Sequence, residues 1–196
     1  MPESSAGIIL AAGASQRMGQ PKPLLLWRGK PFICHVARTA LDAGLVPVVI
    51  VIGSHADEVR SALADLPVEI IYNPNWAEGQ STSVRAGLQA LSPETTAAIF
   101  LLADQPHIPA ALVRTLLEQH VQTQAPIIAP LIDEQRGNPV LFDRITFPDL
   151  MSLHGDAGGR LIFSRYRVVY VPWHDPSLLL DVDTLEDYER LLNSEQ

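Results

Sequence analysis

Leu10-Ala11-Ala12-Gly13-Ala14-Ser15-Gln16-Arg17-Met18-Gly19-Gln20-Pro21-Lys22 directly follows Gly7-Ile8-Ile9. The apolar run at the start predicts a buried strand. Glycine and small residues after it let the backbone turn sharply and approach a ligand closely. Arg17 and Lys22 place two cations at the far end of the same loop. A strand opening into a loop rich in N–H groups and cations suits a polyphosphate, and the expected ligand is a nucleoside triphosphate. Five residues separate Gly13 from Gly19, and the lysine comes three residues after Gly19, ahead of Pro23. A P-loop needs four residues between its glycines and an immediate Gly-Lys-Ser/Thr. The dinucleotide fingerprint G-x-G-x-x-G does not fit here either.

Working outward, short apolar runs alternate with helical patterns. Strands are predicted at residues 7–12, 46–52, 68–72 and 97–103. Between them Phe32, Ile33, Val36, Ala37, Ala40 and Leu41 recur at helical spacing, as do Val84, Leu88 and Leu91. Such alternation predicts an α/β fold of three layers, Rossmann-like, with a mostly parallel sheet covered on both faces. Ligands then sit beyond the carboxyl ends of the strands, where both the glycine loop and Asp104 fall. Past residue 125 further strands are predicted at 127–130, 138–142 and 168–172. Asp133-Glu134-Gln135-Arg136-Gly137 has hairpin chemistry, so an antiparallel addition to the sheet is expected there. A last helix is expected at 185–192.

The 196 residues suit a single domain spanning 1–196. Their formal charge is −8, without a basic block. That argues against nucleic acid as the partner. It also requires a triphosphate to be drawn in locally, by a few cations and a metal. Cys34 is the one cysteine, which forbids an intrachain disulfide and fits a reducing compartment; its helical setting suggests packing. No secretory signal or membrane span is read from the sequence, and a cytoplasmic location is the expectation.

Two carboxylates follow apolar runs: Asp104 after Ile99-Phe100-Leu101-Leu102-Ala103, and Asp183 in Leu179-Leu180-Asp181-Val182-Asp183-Thr184. Two such groups meeting in one cleft repel by roughly 4 kcal/mol at about 4 Å and an effective dielectric near 20. A dication removes that repulsion, and Mg²⁺ takes one or two carboxylates together with phosphate oxygens and water. Asp104 and Asp183 are therefore the candidate metal ligands. Asp104 could instead merely end a strand, and Asp183 or Thr184 could cap a helix with Asp187. Capping by Thr184 is compatible with metal binding by Asp183.

The chain resembles the nucleotidyltransferases in its first loop, L-A-A-G-x-S-x-R-M-G-x-x-K. Further motifs make it similar to the molybdenum cofactor cytidylyltransferases, over nearly its whole length. They are the stretch from Asn73 to Leu88, Ala103-Asp104-Gln105-Pro106, Arg136-Gly137-Asn138-Pro139, Gly155-Asp156-Ala157-Gly158-Gly159-Arg160 and Asp181-Val182-Asp183-Thr184. The resemblance implies an enzyme that moves CMP from CTP to the phosphate of molybdopterin or molybdenum cofactor, with Mg²⁺ and loss of pyrophosphate. Leu10, Ala11, Ala12 and Gly13, with Gly79, Gln80 and Ser81, would bind the nucleotide. Arg17, Lys22 and Asp104 would be catalytic, and Asp104 and Asp183 would hold the metal. Asn138, Asp156 and Arg160 would bind the acceptor. A molybdoenzyme or its maturation chaperone would receive the product. Leu10 departs from the threonine common in cytidylyl relatives, while Ala12 departs from the guanylyl pattern Leu-Ala-Gly-Gly. GTP-using guanylyl transfer, transfer to a sugar or alditol phosphate, and a non-catalytic nucleotide-binding adaptor are the alternatives. The histidines have no zinc-helix spacing; His107, three residues past Asp104, is the one placed near the candidate site.

Overall fold

A computed structural model describes residues 5–15 and 18–193. Its elements run β1 (Ser5–Ala11), β2 (Leu26–Trp27), β3 (Lys30–Pro31), α1 (Phe32–Asp42), β4 (Val48–Ile52), α2 (Ala56–Ala62), β5 (Glu69–Tyr72) and α3 (Gln80–Gln89). They continue with β6 (Ala97–Leu102), α4 (Ala110–Thr123), β7 (Ile127–Ile132), β8 (Gln135–Arg136), β9 (Val140–Asp143), α5 (Phe147–Met151), β10 (Val168–Pro172) and α6 (Leu185–Asn193).

Among the described residues the main sheet has eight strands in the order β10-β7-β9-β6-β1-β4-β5, with β8 added to β7. Strands β1, β4, β5 and β6 are mutually parallel, and β10 is parallel to β7. Strand β9 runs antiparallel to both β6 and β7. The expected antiparallel addition is thus not appended at an edge; its main strand is inserted in the interior of the sheet. The α/β architecture and the mixed, mostly parallel sheet agree with the expectation.

Strand alternation explains the three layers. Side chains on a strand point alternately to opposite faces. Ile9, Ile50, Ile52, Ile99 and Leu101 face α1, α2 and α4 in one cluster. Their neighbours Ile8, Val49, Val51, Ala98 and Phe100 face α3 and α5 in another. The strands therefore read as continuous apolar runs, since both faces are buried. A third cluster joins Trp27 and Phe32 to Val182 and Leu191 of the C-terminal region.

Strand ends deviate from the sequence pattern for definable reasons. β4 starts at Val48 rather than 46, because Pro47 has no N–H to give; its carbonyl accepts from Gly7 N instead (2.9 Å). β9 starts at Val140, past Pro139, for the same reason. β7 outlasts its predicted end because the hairpin extends it, pairing Leu131 with Arg136 and Ile132 with Gln135. Asp133 and Glu134 both take positive φ (46° and 64°), the backbone that a two-residue hairpin turn demands. Cys34 is buried in α1 with its thiol donating to Ala62 O (3.1 Å), which agrees with a packing role.

Gly87 sets how closely α3 approaches the sheet. A Cβ there would lie 2.6 Å from Ile8 Cγ2 and 3.3 Å from Val51 Cγ2. Alanine gains about 1 kcal/mol of helix propensity, but overpacking a core costs about 1–3 kcal/mol. Gly87→Ala is expected to lose net stability, by about 1–2 kcal/mol, which urea unfolding measures.

Candidate functional site

The carboxyl ends of β1 and β6 open on a cavity of about 530 Å³. Leu10, Ala11, Ala12 and Gly13 line it from β1 and its loop, and Leu102, Ala103 and Asp104 from the end of β6. Lys22, Asp183, Gly79 and Gln80 complete much of the wall. Loop residue Ser15 adopts positive φ (53°), and its Oγ accepts from Lys22 N at 2.9 Å. That bond folds the loop back and aims Lys22 inward. Gln16 and Arg17 lie outside the described residues, so the catalytic expectation for Arg17 has no structural counterpart here.

Lys22 Nζ lies 3.5 Å from Asp104 Oδ2 and donates to Asp183 Oδ1. Three segments, from the first, middle and last parts of the chain, thus meet on one ammonium group. Its side chain is 15% exposed and that of Asp104 25%, so the charges are only partly screened. Burial pushes the Asp104 carboxyl up from its ordinary 3.8 to about 6; Lys22 opposes this, and the nearby Asp181 adds to it. Asp104 Oδ1 is buried with no hydrogen-bond partner among the described residues.

That orphaned oxygen bears on whether a metal fits. Among the described residues no group of three His, Cys, Asp or Glu side chains could hold an ion. Asp104 and Asp183 alone supply two hard oxygen ligands. Such a set suits a dication completed by phosphate oxygens and water, and Lys22 Nζ bridges the pair here.

Thr184 caps α6 as the sequence suggested. Asp187 Oδ2 accepts from Thr184 N (2.9 Å) and Thr184 Oγ1 (2.7 Å), while Asp187 N donates to Thr184 Oγ1 (3.2 Å). This box leaves the Asp183 carboxylate directed at Lys22. Capping and the proposed metal role are thus divided between adjacent residues.

At the start of α3 the structure separates residues that the motif groups together. Gly79 takes φ 110°, and a Cβ there would run into the Gly155 backbone. Ser81 is fully buried, its N–H donating to Gly155 O (3.0 Å), and it does not line the cavity. Ser83 does. Thr82 is structural: its Oγ1 accepts from Asn73 Nδ2 at 2.8 Å. Trp76 packs on Gly53, where a Cβ would meet Trp76 Cβ and Cγ at 2.6 Å, and it also lines the cavity.

A second cavity of about 300 Å³ adjoins the first. Asn138, Asp156 and Arg160 meet on its wall. Arg136 joins them, its guanidinium 4.4 Å from the Phe163 ring centroid. Burial and then the nearby Arg160 pull the Arg136 guanidinium below its ordinary value. The floor is apolar, from Phe100, Val140 and Phe142. Leu10, Gln80, Leu102 and Asp156 line both hollows. His107 lines neither, and its two ring nitrogens are buried. No helix among the described residues is long and apolar enough to cross a membrane.

The chain has relatives among known proteins. Residues 7–169 match the family model for the MobA-like NTP transferase domain. Nicotine blue oxidoreductase of Paenarthrobacter nicotinovorans is 34% identical over 195 residues, covering 95% of each chain. The crystal structure of Rv0371c from Mycobacterium tuberculosis H37Rv superposes with a TM-score of 0.89 at 31% identity, covering 98% of this chain and 100% of that one. The same protein in complex with manganese gives 0.83 at 30% identity, covering 97% and 99%. With its match extending from β1 into β10, the chain belongs to the MobA-like NTP transferase domain family.

Proposed function

We propose that the protein is a nucleotidyltransferase that moves CMP from CTP to the terminal phosphate of a molybdopterin-type acceptor, with Mg²⁺ held by Asp104 and Asp183. The observation that carries this reading is the meeting of Lys22 with both carboxylates beneath the glycine loop. The large hollow takes the nucleotide, with Leu10, Ala11, Ala12, Gly13, Gly79 and Gln80 against base and ribose. Ser81 supports that wall from behind, and Ser83 offers the hydroxyl. The smaller hollow takes the acceptor, with Asn138, Asp156 and Arg160 as its polar contacts. The manganese complex of the related Rv0371c supports a divalent ion on this fold. CTP and the pterin rest on the motif resemblance; GTP is the competing donor.

In the reaction an acceptor phosphate oxygen attacks the α-phosphorus. A new P–O bond forms, the bond from the α-phosphorus to the bridging oxygen breaks, and pyrophosphate leaves with that electron pair. The nucleophile is already anionic, so no strong general base is required. Catalysis then rests on alignment and on neutralising charge. Bound at Asp104 and Asp183, the metal would supply Lewis-acid neutralisation of the phosphates. Lys22 Nζ, released from one carboxylate as the triphosphate enters, offsets charge on the leaving pyrophosphate. Arg160 and Arg136 hold the anionic acceptor.

The full-length likeness to a protein named an oxidoreductase supports a second reading, redox chemistry on the same fold. A redox reaction releases no pyrophosphate. The deciding experiment is pyrophosphate release with each of the four nucleoside triphosphates, with and without molybdopterin. The transferase reading requires release that depends on both substrates, fastest with CTP; absence of release with every nucleotide refutes it.

Three variants refine the roles. Asp104→Ala is expected to lower turnover at least about 100-fold with the circular dichroism spectrum retained, since removing a single preorganised electrostatic contact costs about that much. Arg160→Ala should raise the acceptor KM about tenfold while leaving the CTP KM within twofold, as initial rates will measure; an ion-paired hydrogen bond is worth about 1.5–3 kcal/mol. Asp104→Asn tests the burial of charge. The raised carboxyl means that the folded state holds more protons between about pH 4 and 6. Stability therefore falls as pH rises through that window, by about 3 kcal/mol in total. Asparagine mimics the neutral acid, so this variant should melt higher than the wild type at pH 7.5 and alike near pH 4.

A further inference from the structure

Gln105 follows Asp104 directly, and Asp181 stands two residues before Asp183. Gln105 is 2% exposed. Its Nε2 donates to Asp181 Oδ1 at 2.5 Å, across 76 residues of sequence. A carboxylate only accepts, so the amide must turn its NH₂ toward Asp181. That orientation leaves Gln105 Oε1 buried without a partner among the described residues. An unmet buried acceptor is destabilising; the arrangement is maintained despite that cost.

The backbone on both sides of this bond is otherwise fixed. Gln105 N donates to Leu102 O at the end of β6 (3.3 Å). On the other side Val182 is fully buried in the third apolar cluster. Asp183 N donates to Asp181 O (3.0 Å) and to Asp187 Oδ2 (3.3 Å). Neither anchor alone relates the two carboxylates to each other. The Gln105–Asp181 bond connects the loop that carries Asp104 directly to the segment that carries Asp183.

We infer that Gln105 and Asp181 are positioning residues: their hydrogen bond sets the separation of Asp104 and Asp183 and so the affinity for the divalent ion. The inference rests on the proposed metal role of those two aspartates. Asp181 acts here through the geometry of an acceptor oxygen, not as a ligand and not through its charge. An asparagine at 181 offers the same acceptor and no charge; an alanine offers neither. Asp181 lies on the exposed side of the bond, so both substitutions leave the core untouched.

The test is titration of Mn²⁺ into the full chain with CTP present, with free Mn²⁺ read by electron paramagnetic resonance. Groups that orient metal ligands typically contribute about 10–100-fold in affinity. Asp181→Ala is expected to weaken Mn²⁺ binding about tenfold while the melting temperature stays within a few degrees, and Gln105→Leu to do the same. Asp181→Asn should stay within about twofold of the wild type, a rescue expected of a positioning role. In turnover, the Mn²⁺ requirement of Asp181→Ala should rise while its rate at saturating Mn²⁺ nears the wild-type rate. Wild-type affinity in Asp181→Ala overturns the inference and spares the metal pair. Equal loss in Asp181→Asn and Asp181→Ala also overturns it, since charge or ligation would then be at work. No Mn²⁺ binding by the wild type overturns both the inference and the proposed metal role beneath it.

Discussion

One ammonium group organises this molecule's candidate site. Lys22 reaches from the first loop to a carboxylate at the end of β6 and to another just before α6. Those residues are 82 and 161 positions away in sequence. Three partly buried charges would be costly if any were left unmatched. Each segment therefore has to arrive for the others to be satisfied. The sheet supplies the means: β1 and β6 are adjacent and parallel, so the residues just past their ends emerge side by side. The third cluster, in which Val182 packs with Trp27 and Phe32, brings the last segment over the same edge.

The same arrangement is stable only in part. Asp104 is more easily protonated than a carboxylate in water, which records the work done to put its charge there. Its Oδ1 has no hydrogen-bond partner among the described residues. Residues kept in such unfavourable surroundings cluster at functional sites. Around the site the packing is tight. Gly79 meets Gly155 with no room for a side chain, and a Cβ on Gly158 would stand 2.8 Å from Gln80 Oε1. Close fit locks the Gly79–Gln80 and Gly155–Gly158 segments together.

Much of this was legible in the residues. Continuous apolar runs flagged β1, β4 and β6, because a strand covered on both faces has no polar face to show. The composition of Asp133-Glu134 marks a turn, and the two positive φ values give its cause. The location of Asp104 followed from the rule that parallel strands present their carboxyl ends to ligands. What stayed hidden was long-range or rotational. The placement of β9 between β6 and β7 depends on partners far apart in sequence, and no local pattern encodes it. Ser81 and Ser83 are alike as letters but differ by most of a half-turn on α3. Counting three residues on from Gln80 along one helical face would have selected Ser83. Arg136 sat inside a quoted motif, yet only the fold turns it toward Phe163. Gln105 and Asp181 look like spacers until the chain closes.

The two hollows share Leu10, Gln80, Leu102 and Asp156 as a common partition. For the proposed transfer, a party wall of this kind has a kinetic meaning. Donor and recipient can be housed at once, with the reacting phosphorus at the doorway between their rooms. The CMP unit then crosses in a single displacement, and no side chain need carry it as an intermediate stop. Inversion at the α-phosphorus and a ternary complex, rather than a shuttle with two half-reactions, follow from one shared boundary.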